Sequence, residues 1–220
     1  MQSPAPKQYL PLLGHPVLRH TLERLCTHAR VQGVLVGIAP EDEHWKKHAE
    51  EFRNLPKFLG TSNGGETRAH TVLNGLKALA KHAKAGDWVL VHDAVRPCVR
   101  HGDIDRLITA VEAGEEGGLL AFPVADTVKR VDNAARVTET VNRNGLWRAA
   151  TPQMFQINSL IQALEQGMKS GKEITDEASA IEAAGGHPRV VAGHTDNIKI
   201  TLPEDLALAE LYLKQQAGSA

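Results

Sequence analysis

Residues 88–97 read WVLVHDAVRP, and this stretch decides the fold. Four apolar residues bounded by polar ones are typical of a short strand buried inside a parallel sheet. Asp93 follows directly, and Arg96 stands three residues later before Pro97. Open α/β sheets bind ligands at the carboxyl ends of their strands, so we predict that Asp93 and Arg96 line a site for a metal-phosphate group or a sugar hydroxyl. A purely structural Asp–Arg pair is the alternative.

Other short apolar runs alternate with amphipathic helical patterns. The predicted strands cover residues 33–38 (GVLVGI), 57–60, 88–92, 118–124 and 189–191. Apolar residues that recur every three or four positions predict helices over 17–30, 67–82, 104–111 and 206–213. This alternation predicts an α/β fold, with a mostly parallel sheet and helices on both faces. No linker divides the chain, so residues 1–220 are expected to form a single domain.

One stretch breaks the alternation. Residues 126–141 read DTVKRVDNAARVTETV, which is polar, rich in β-branched residues and interrupted by the turn signal Asp132-Asn133. The pattern predicts a two-stranded hairpin with little core of its own. Such a hairpin is only marginally stable in water. It is therefore either a mobile surface hairpin or an arm that packs on a second copy of the chain.

The composition excludes several classes of protein. The chain has 220 residues, 42% of them hydrophobic, which is incompatible with a largely disordered protein. A formal net charge of -1 argues against coating of nucleic acid. No apolar run approaches the roughly 20 residues of a membrane span, and residues 1–30 lack a secretion signal. The two cysteines, Cys26 and Cys98, fit a reducing compartment, so we expect a cytoplasmic protein.

Several familiar motifs are missing from the sequence. It contains no G-x-G-x-x-G after a strand, no G-x-x-x-x-G-K-[ST], no G-x-S-x-G and no H-E-x-x-H. The spacing His101-x-Asp103-x-Asp105 is the nearest approach to a metal cluster, but Asp103 is better explained as an N-cap or first-turn acid. Cys26 lies on the apolar face of a predicted helix and is expected in the core.

Cations follow several turns and strand ends. Lys7 lies in a Pro-flanked segment, Arg143 beside a turn, and Lys199 within DNIKIT at 196–201. Cations on separate loops near a carboxylate suit nucleotidyl transfer, because catalysis there is mostly positioning and neutralisation of phosphate charge. The alternatives are a solvated surface lysine for Lys7 and an apolar-packed stem for Lys199.

Two helix starts carry further polar residues. The run GGETRAHT at 64–71 combines paired glycines, which let the backbone approach a ligand, with the free N–H groups of a helix start. A plain Gly-rich turn with Glu66 in the first helical turn is the alternative. Thr175 is predicted to cap another helix, with Asp176 and Glu177 in its first turn.

Seven motifs occur in a fixed order, and together they indicate a family. They are PKQYL (6–10), GGETR (64–68), VHDAVRP (91–97), PVADTVKR (123–130), NRNGLWRAATPQMF (142–155), ITDEASA (174–180) and DNIKIT (196–201). By these motifs the chain resembles the 2-C-methyl-D-erythritol 4-phosphate cytidylyltransferase family over residues 4–213. The resemblance implies a Rossmann-like nucleotidyltransferase fold and a homodimer whose β-arms, at about 126–148, interlock. It also implies transfer of the cytidylyl group of CTP to methylerythritol phosphate in non-mevalonate isoprenoid biosynthesis, with Mg²⁺ as cofactor and pyrophosphate as by-product.

The resemblance implies a role for individual residues as well. Lys7 would contact the triphosphate, and Arg143 and Lys199 would position the methylerythritol phosphate. Asp93 and Arg96 would line the acceptor pocket, and Asp93 is the one candidate ligand for Mg²⁺. Thr127 and Arg143 would reach over from the partner's arm. Gly65, Glu66 and Thr71 would face the cytosine. Ala94 and Thr151 would complete the substrate-binding residues. The family commonly has Asp and Ser where this chain has Glu66 and Thr71, which lengthens or crowds these side chains.

One departure concerns the start of the chain. The family begins with an apolar strand and a loop of the form P-A-A-G-x-G-x-R-M, and Met1 matches the Met that closes the loop. The resemblance therefore implies that this strand, its glycines and its Arg lie outside this chain, which would leave neighbouring strands unpaired. Loss of one preorganised cationic donor costs roughly 10²–10³ in rate.

Three alternatives remain open from the sequence. The first is a cytidylyltransferase for another polyol phosphate, such as ribitol 5-phosphate. The second is a truncated, non-catalytic dimer that binds a nucleotide. The third is an NAD-dependent oxidoreductase, which the missing dinucleotide fingerprint disfavours.

Overall fold

The computed structural model describes residues 5–84, 86–171 and 173–218. A 3-10 turn at Lys7–Tyr9 comes first, and ten strands and seven helices follow. In chain order they are β1 (Pro11–Leu12), β2 (His15–Pro16), α1 (Val17–Cys26), β3 (Val34–Ile38), α2 (Glu43–Arg53), β4 (Phe58–Asn63), α3 (Arg68–Leu79), β5 (Trp88–Val91), α4 (His101–Glu112), β6 (Gly117–Pro123), β7 (Val128–Val131), β8 (Val137–Val141), β9 (Trp147–Gln156), α5 (Ile157–Lys169), α6 (Glu177–Ala183), β10 (Arg189–Ala192) and α7 (Glu204–Ala217).

The largest sheet has four strands in the order β10-β6-β9-β5. Strand β10 runs parallel to β6, whereas β9 runs antiparallel to both of its neighbours, β6 and β5. Strands β5, β6 and β10 therefore share one direction, and β9 alone is reversed. This confirms the predicted α/β class and the mostly parallel direction of its strands.

Strands β3 and β4 form a separate parallel pair. Within the described residues, β3 pairs only with β4, and β5 pairs only with β9, so each has one open edge. The side chains of Val36 on β3 and of Leu90 on β5 nevertheless pack against the same apolar cluster. The two sheets thus share one core, and no strand among the described residues is hydrogen-bonded to both β3 and β5.

Apolar side chains bury both faces of the sheet because successive residues of a strand point to opposite faces. On β6, Leu120 joins a cluster with helices α1, α2 and α4, whereas Leu119 joins a second cluster with α3, α5 and α6. A third cluster links β1, the segment after β5 and helix α7 through Leu12, Cys98 and Ala209. The prediction of helices on both faces is therefore confirmed.

The predicted strands and helices are all present, with shifts of a few residues at their ends. Five strands and helices were not predicted, namely β1, β2, α2, β9 and α5, and the 3-10 turn was not predicted either. At α6 the predicted cap is wrong by one residue. Asp176, rather than Thr175, is the N-cap, because its carboxylate accepts the N–H of Ser179 while the Ser179 hydroxyl accepts the N–H of Asp176.

Strands β7 and β8 form the irregular hairpin that the sequence suggests. The Asp132 side chain accepts the N–H groups of Ala134 and Arg136 and so closes the turn. Val131 and Val137 are 51% and 61% exposed, so the hairpin buries little apolar surface within its own chain. No helix in the described part of the chain is long and apolar enough to span a membrane.

Candidate active site

The loop after β5 is held by a hydroxyl that forms two hydrogen bonds. The Asp93 N–H donates to Thr151 Oγ1 at 3.0 Å, and Thr151 Oγ1 lies 2.9 Å from His92 Nδ1. His92 Nε2 lies 3.1 Å from the Arg96 carbonyl, which can only accept. The neutral imidazole must therefore carry its proton on Nε2, and the Thr151 hydroxyl donates to Nδ1. Burial lowers the pKa of His92 to about 4, which favours this neutral form.

Three cations surround the Asp93 carboxylate. Lys199 Nζ lies 3.0 Å and Arg96 Nε 3.3 Å from Oδ2, and Arg68 Nη2 lies 3.4 Å from Oδ1. Burial tends to raise the pKa of Asp93, but the positive charges of Lys199 and Arg68 outweigh it and lower the pKa. Asp93 is therefore an ionised group that holds side chains from three separate segments.

Arg96 connects the Asp93 loop with the segment that carries Lys199. It is 9% exposed, and its Nη1 donates to the carbonyl of Asn197 at 2.8 Å. The Asn197 amide donates in turn to the Thr151 carbonyl at 2.8 Å. Arg96 thus matches the structural Asp–Arg alternative, and these bonds fix the backbone on which Lys199 stands. Lys199 itself remains 43% exposed and can reach a ligand.

Arg68, the first residue of α3, links Asp93 to a buried carboxylate. Its Nη1 and Nη2 lie 2.7 and 3.0 Å from the two carboxylate oxygens of Glu177, the first residue of α6. The Glu177 side chain is 1% exposed. Both residues belong to motifs of the sequence, GGETR and ITDEASA, but neither was predicted to lie in the site. Their positions in the first turns of two helices could have indicated a site role. An acid such as Glu177 in a first turn is, however, explained equally well by the helix dipole.

Lys7 starts the turn that precedes β1. The turn is anchored by Tyr9, whose hydroxyl donates to Asp42 at 2.8 Å. Hydrogen bonds from the N–H groups of Leu202 and Thr201 lower the pKa of Asp205, and the charge of Lys7 adds to this effect. The chain after Lys7, the loop after Asp93 and the segment around Lys199 also pack into one apolar cluster through Leu10, Val95 and Ile198. Lys7 and Lys199 therefore belong to neighbouring parts of the fold.

The glycine-rich run before α3 folds back on the helix. The N–H of Gly65 donates to Thr71 Oγ1 at 2.9 Å, and the Thr71 hydroxyl donates to the Thr67 carbonyl at 3.1 Å. A Cβ on Gly65 would lie 2.3 Å from the Cβ of His70, so only glycine fits there. Glu66 is exposed. Thr71 is thus engaged in closing the turn, while Glu66 faces solvent.

Arg143 and Thr127 lie at the base of the hairpin, next to the ends of β8 and β7. Arg143 Nη1 donates to the carbonyl of Ala125, and Thr127 is exposed. Ala94 is half-buried, and its carbonyl accepts the Thr21 hydroxyl at 2.8 Å. Within one chain, the structure therefore groups Asp93, Arg96, Thr151 and Lys199, while the contact described for Arg143 lies within the base of the hairpin.

The described residues contain no group of three His, Cys, Asp or Glu side chains that could hold a metal ion alone. The sequence spacing around Asp103 is explained by a structural contact: Asp103 is buried and bonds to His194 Nδ1 at 2.6 Å and to Arg106. Near the cations, Asp93 is the available carboxylate. Mg²⁺ is commonly held by one or two carboxylates plus substrate phosphates, so a single Asp93 fits a metal that arrives with a nucleotide.

The two cysteines are buried free thiols. Cys26 is fully buried on α1, which confirms its predicted place in the core. Burial raises the pKa of Cys26 to about 11 and that of Cys98 to about 12. Neither is a nucleophile at neutral pH.

An α/β sheet with cations gathered around one carboxylate at the end of a strand is typical of a nucleotidyltransferase-type protein. The family model described as 2-C-methyl-D-erythritol 4-phosphate cytidylyltransferase matches residues 1–215. The chain belongs to this family.

Similar proteins of known sequence and structure agree with this assignment. The protein of that name from Azoarcus sp. (strain BH72) is 50% identical over 219 residues, which cover 99% of this chain and 90% of the relative. The protein of the same name from Hahella chejuensis (strain KCTC 2396) is 48% identical over 210 residues, which cover 96% of this chain and 86% of the relative. A crystal structure of 4-diphosphocytidyl-2C-methyl-D-erythritol synthase superposes with a TM-score of 0.85 at 40% identity, covering 94% of this chain and 95% of that one. The enzyme from Francisella tularensis gives a TM-score of 0.81 at 34% identity, with coverage of 94% and 93%.

Proposed function

We propose that this protein transfers the cytidylyl group of CTP to 2-C-methyl-D-erythritol 4-phosphate, in the non-mevalonate route to isoprenoids. The observation that carries the proposal is the convergence of Lys199, Arg96 and Arg68 on Asp93 at the carboxyl end of β5. Family membership over residues 1–215 supplies the identity of the two substrates. The cluster supplies the positive charge that two anionic substrates need when they meet.

The reaction is an in-line displacement at phosphorus. A phosphate oxygen of the acceptor attacks the α-phosphorus of CTP, forming a new P–O bond. The bond between the α-phosphorus and the α–β bridging oxygen breaks, and pyrophosphate leaves with the electron pair. A phosphate monoester carries about 1.5 to 2 negative charges at pH 7, so its oxygen needs no general base. The work left to the protein is alignment and charge neutralisation.

The side chains divide this work between the two substrates. Lys199 holds the acceptor phosphate, and Asp93 and Arg96 fix the position of Lys199 and the shape of the pocket. Lys7 neutralises charge on the triphosphate as pyrophosphate departs. Gly65 and Glu66 face the cytosine, and the backbone N–H and C=O groups of their turn can hydrogen-bond to the edge of the base. The remaining proposed substrate contacts come from Thr71, Ala94 and Thr151.

Mg²⁺ is the proposed cofactor, with Asp93 as its protein ligand and CTP phosphates as the others. When bound, the ion neutralises phosphate charge and orients the triphosphate.

The functional unit is proposed to be a homodimer joined by the β7–β8 hairpin. Val131 and Val137 expose most of their surface, and Leu146 and Trp147, at the base of the hairpin, are 38% and 43% exposed. Pairing of two hairpins would bury these residues and bring Arg143 and Thr127 of the partner subunit toward the acceptor. A cytoplasmic location is likewise proposed, supported by two free thiols of which neither is in a disulfide.

The direct test measures release of pyrophosphate by the protein with CTP, methylerythritol phosphate and Mg²⁺. Turnover that needs all three supports the proposal, and product mass identifies the cytidine diphosphate derivative. Matched reactions contain ribitol 5-phosphate as acceptor, or ATP as donor. Faster turnover of ribitol 5-phosphate would reassign the acceptor. Calorimetric binding of CTP without turnover would instead indicate a nucleotide-binding dimer.

A further inference from the structure

We propose that Glu177 and Arg68 act together as positioning residues that set the orientation of Asp93 and, through it, the place of Lys199. The proposal rests on the role proposed above for Asp93 and Lys199 at the acceptor. Neither Glu177 nor Arg68 needs to touch a substrate for this purpose.

The first link is the grip of Glu177 on Arg68. Both carboxylate oxygens of Glu177 accept from Arg68, at 2.7 and 3.0 Å. A bidentate contact fixes the plane of a guanidinium group as well as its distance. With Glu177 only 1% exposed, water cannot replace this contact.

The second link is the contact between Arg68 and Asp93. Nε and Nη2 of Arg68 each lie 3.4 Å from Asp93 Oδ1. The other oxygen, Oδ2, faces Lys199 at 3.0 Å and Arg96 at 3.3 Å. The plane of the guanidinium thus sets the side on which Oδ1 is held. Because the carboxylate is planar, the Arg68 guanidinium also sets the direction in which Asp93 Oδ2 points toward Lys199.

The third link anchors Glu177 to the same sheet that carries Asp93. Gln153 on β9, the partner strand of β5, accepts the N–H of Ala178 at 2.8 Å through its amide oxygen. Its amide nitrogen donates to Asp176 at 2.9 Å. The start of α6 is therefore fixed to β9 on either side of Glu177. The position of the carboxylate follows from the sheet, so the pair transmits a rigid geometry to Asp93.

A structural ion pair and a positioning pair respond differently to joint neutralisation. Removing Arg68 leaves the buried Glu177 carboxylate without its partner, which is strongly destabilising, whereas replacing both residues with neutral ones is often tolerated. The experiment compares Arg68→Met, Glu177→Gln and the double variant carrying both changes. Thermal unfolding and steady-state kinetics are measured for each, with KM determined separately for CTP and for methylerythritol phosphate.

A positioning pair predicts that the double variant regains stability relative to Arg68→Met but does not regain activity. We expect its kcat to stay about 10- to 100-fold below the parent, as for a small misplacement of a reacting group. The KM for methylerythritol phosphate should rise about 10-fold while that for CTP is unchanged, because only the acceptor side is displaced. Parental kcat and KM in a folded double variant would overturn the proposal.

A conservative change keeps the test decisive if the double variant does not fold. Glu177→Asp retains the charge but withdraws the carboxylate by one methylene. It should raise the acceptor KM by about 3-fold or more, since a lost bidentate contact loosens Arg68. An unchanged acceptor KM in this variant would equally contradict a positioning role.

The controls separate this inference from the proposed function. Lys77 and Glu165 form an exposed ion pair at 2.6 Å between α3 and α5, and the matched double variant Lys77→Met/Glu165→Gln should behave as the parent. Asp93→Asn and Lys199→Met test the acceptor site itself. If both leave the acceptor KM unchanged, the proposed site is wrong. If both raise it while Arg68→Met/Glu177→Gln does not, only the positioning inference fails.

Discussion

Lys199 Nζ lies 3.0 Å from Asp93 Oδ2, although the lysine side chain is 43% exposed and the aspartate 11%. The pair joins a solvent-facing cation to an almost buried anion. Because Asp93 is also held by Arg96 and Arg68, it does not depend on Lys199 for neutralisation. The Lys199 ammonium has three N–H donors, so it can donate to an incoming phosphate while it keeps its contact with Asp93.

Lys199→Met should weaken acceptor binding. A hydrogen bond to a charged group contributes about 1.5–3 kcal/mol, so the KM for methylerythritol phosphate should rise about 10- to 100-fold. Initial rates at varied acceptor concentration measure this effect. Lys46→Met, which removes an exposed lysine on α2, is the control. An unchanged acceptor KM in Lys199→Met would exclude the proposed contact.

Lys7→Ala should slow the chemical step. Removal of one preorganised donor at a developing charge typically lowers kcat by about 10²–10³. Tyr9 retains its bond to Asp42 in this variant, so the turn should keep its shape. Pyrophosphate release under saturating substrates gives kcat, and circular dichroism checks the fold. A variant as fast as the parent would remove Lys7 from the mechanism.

Thr151→Val should destabilise the protein more than Thr151→Ser. Valine has a similar shape but leaves the Asp93 N–H and His92 Nδ1 without their partner. A buried group left unsatisfied costs about 1–3 kcal/mol. Urea unfolding should therefore show a loss of at least that size for Thr151→Val and a smaller one for Thr151→Ser. Equal stability of the two variants would show that the hydroxyl does not hold the loop.

His92 makes stability depend on pH in a defined direction. Its pKa is about 4 in the folded chain, whereas an ordinary histidine has a pKa of 6.5, so the unfolded chain binds the extra proton between these limits. Stability from this group is complete above pH 6.5 and is lost as the pH falls toward 4, by about 3 kcal/mol. Burial also lowers the pKa of His20 and His28, which adds slope of the same sign.

The contribution of His92 is isolated by comparison with His92→Asn. Urea unfolding at pH 7 and pH 5 should show a smaller pH dependence in the variant than in the parent. Identical pH dependence in both proteins would contradict the assignment of a neutral, buried imidazole.

The exposed valines of the hairpin provide a test of the proposed dimer. Val131→Asp/Val137→Asp should shift the protein from dimer to monomer in sedimentation at micromolar concentration, because paired hairpins would bury like charges. Unfolding of the monomer should change little, since both positions are exposed in the single chain. Thr138→Ser, on strand β8 beside Val137, is the control. A parent that sediments as a monomer would contradict the arm-mediated dimer.

Much of the architecture was predictable from local patterns. Short apolar runs located β3, β5 and β6, and apolar periodicity located α1 and α4. Helix α5 has the same periodicity, at Ile157, Leu160 and Leu164, so the signal was available although the prediction omitted it. Helix α2 gave a weak signal because most of its residues are charged or polar. Strand β9 was missed because Pro152 and the small residues before it obscure the strand pattern.

The site was predictable only in part. Asp93 and Lys199 could be placed because each follows or interrupts an apolar segment, and apolar segments position their neighbours. The pairing of Arg68 with Glu177 spans 109 residues and depends on two helices starting side by side. A first-turn acid gives no indication of such a partner, since it is already explained by the helix dipole. Topology, rather than residue type, makes this contact.

In the part of the chain that the structure describes, β3 and β5 are each paired on one side, and this has a consequence for amide exchange. Each strand directs a row of N–H and C=O groups toward its open edge, and the apolar side chains beside them are only partly covered. In deuterated water, amides on these edges should exchange far sooner than those of β6, which is paired on both sides. A slow-exchanging β5 edge would reveal that another extended backbone has inserted there.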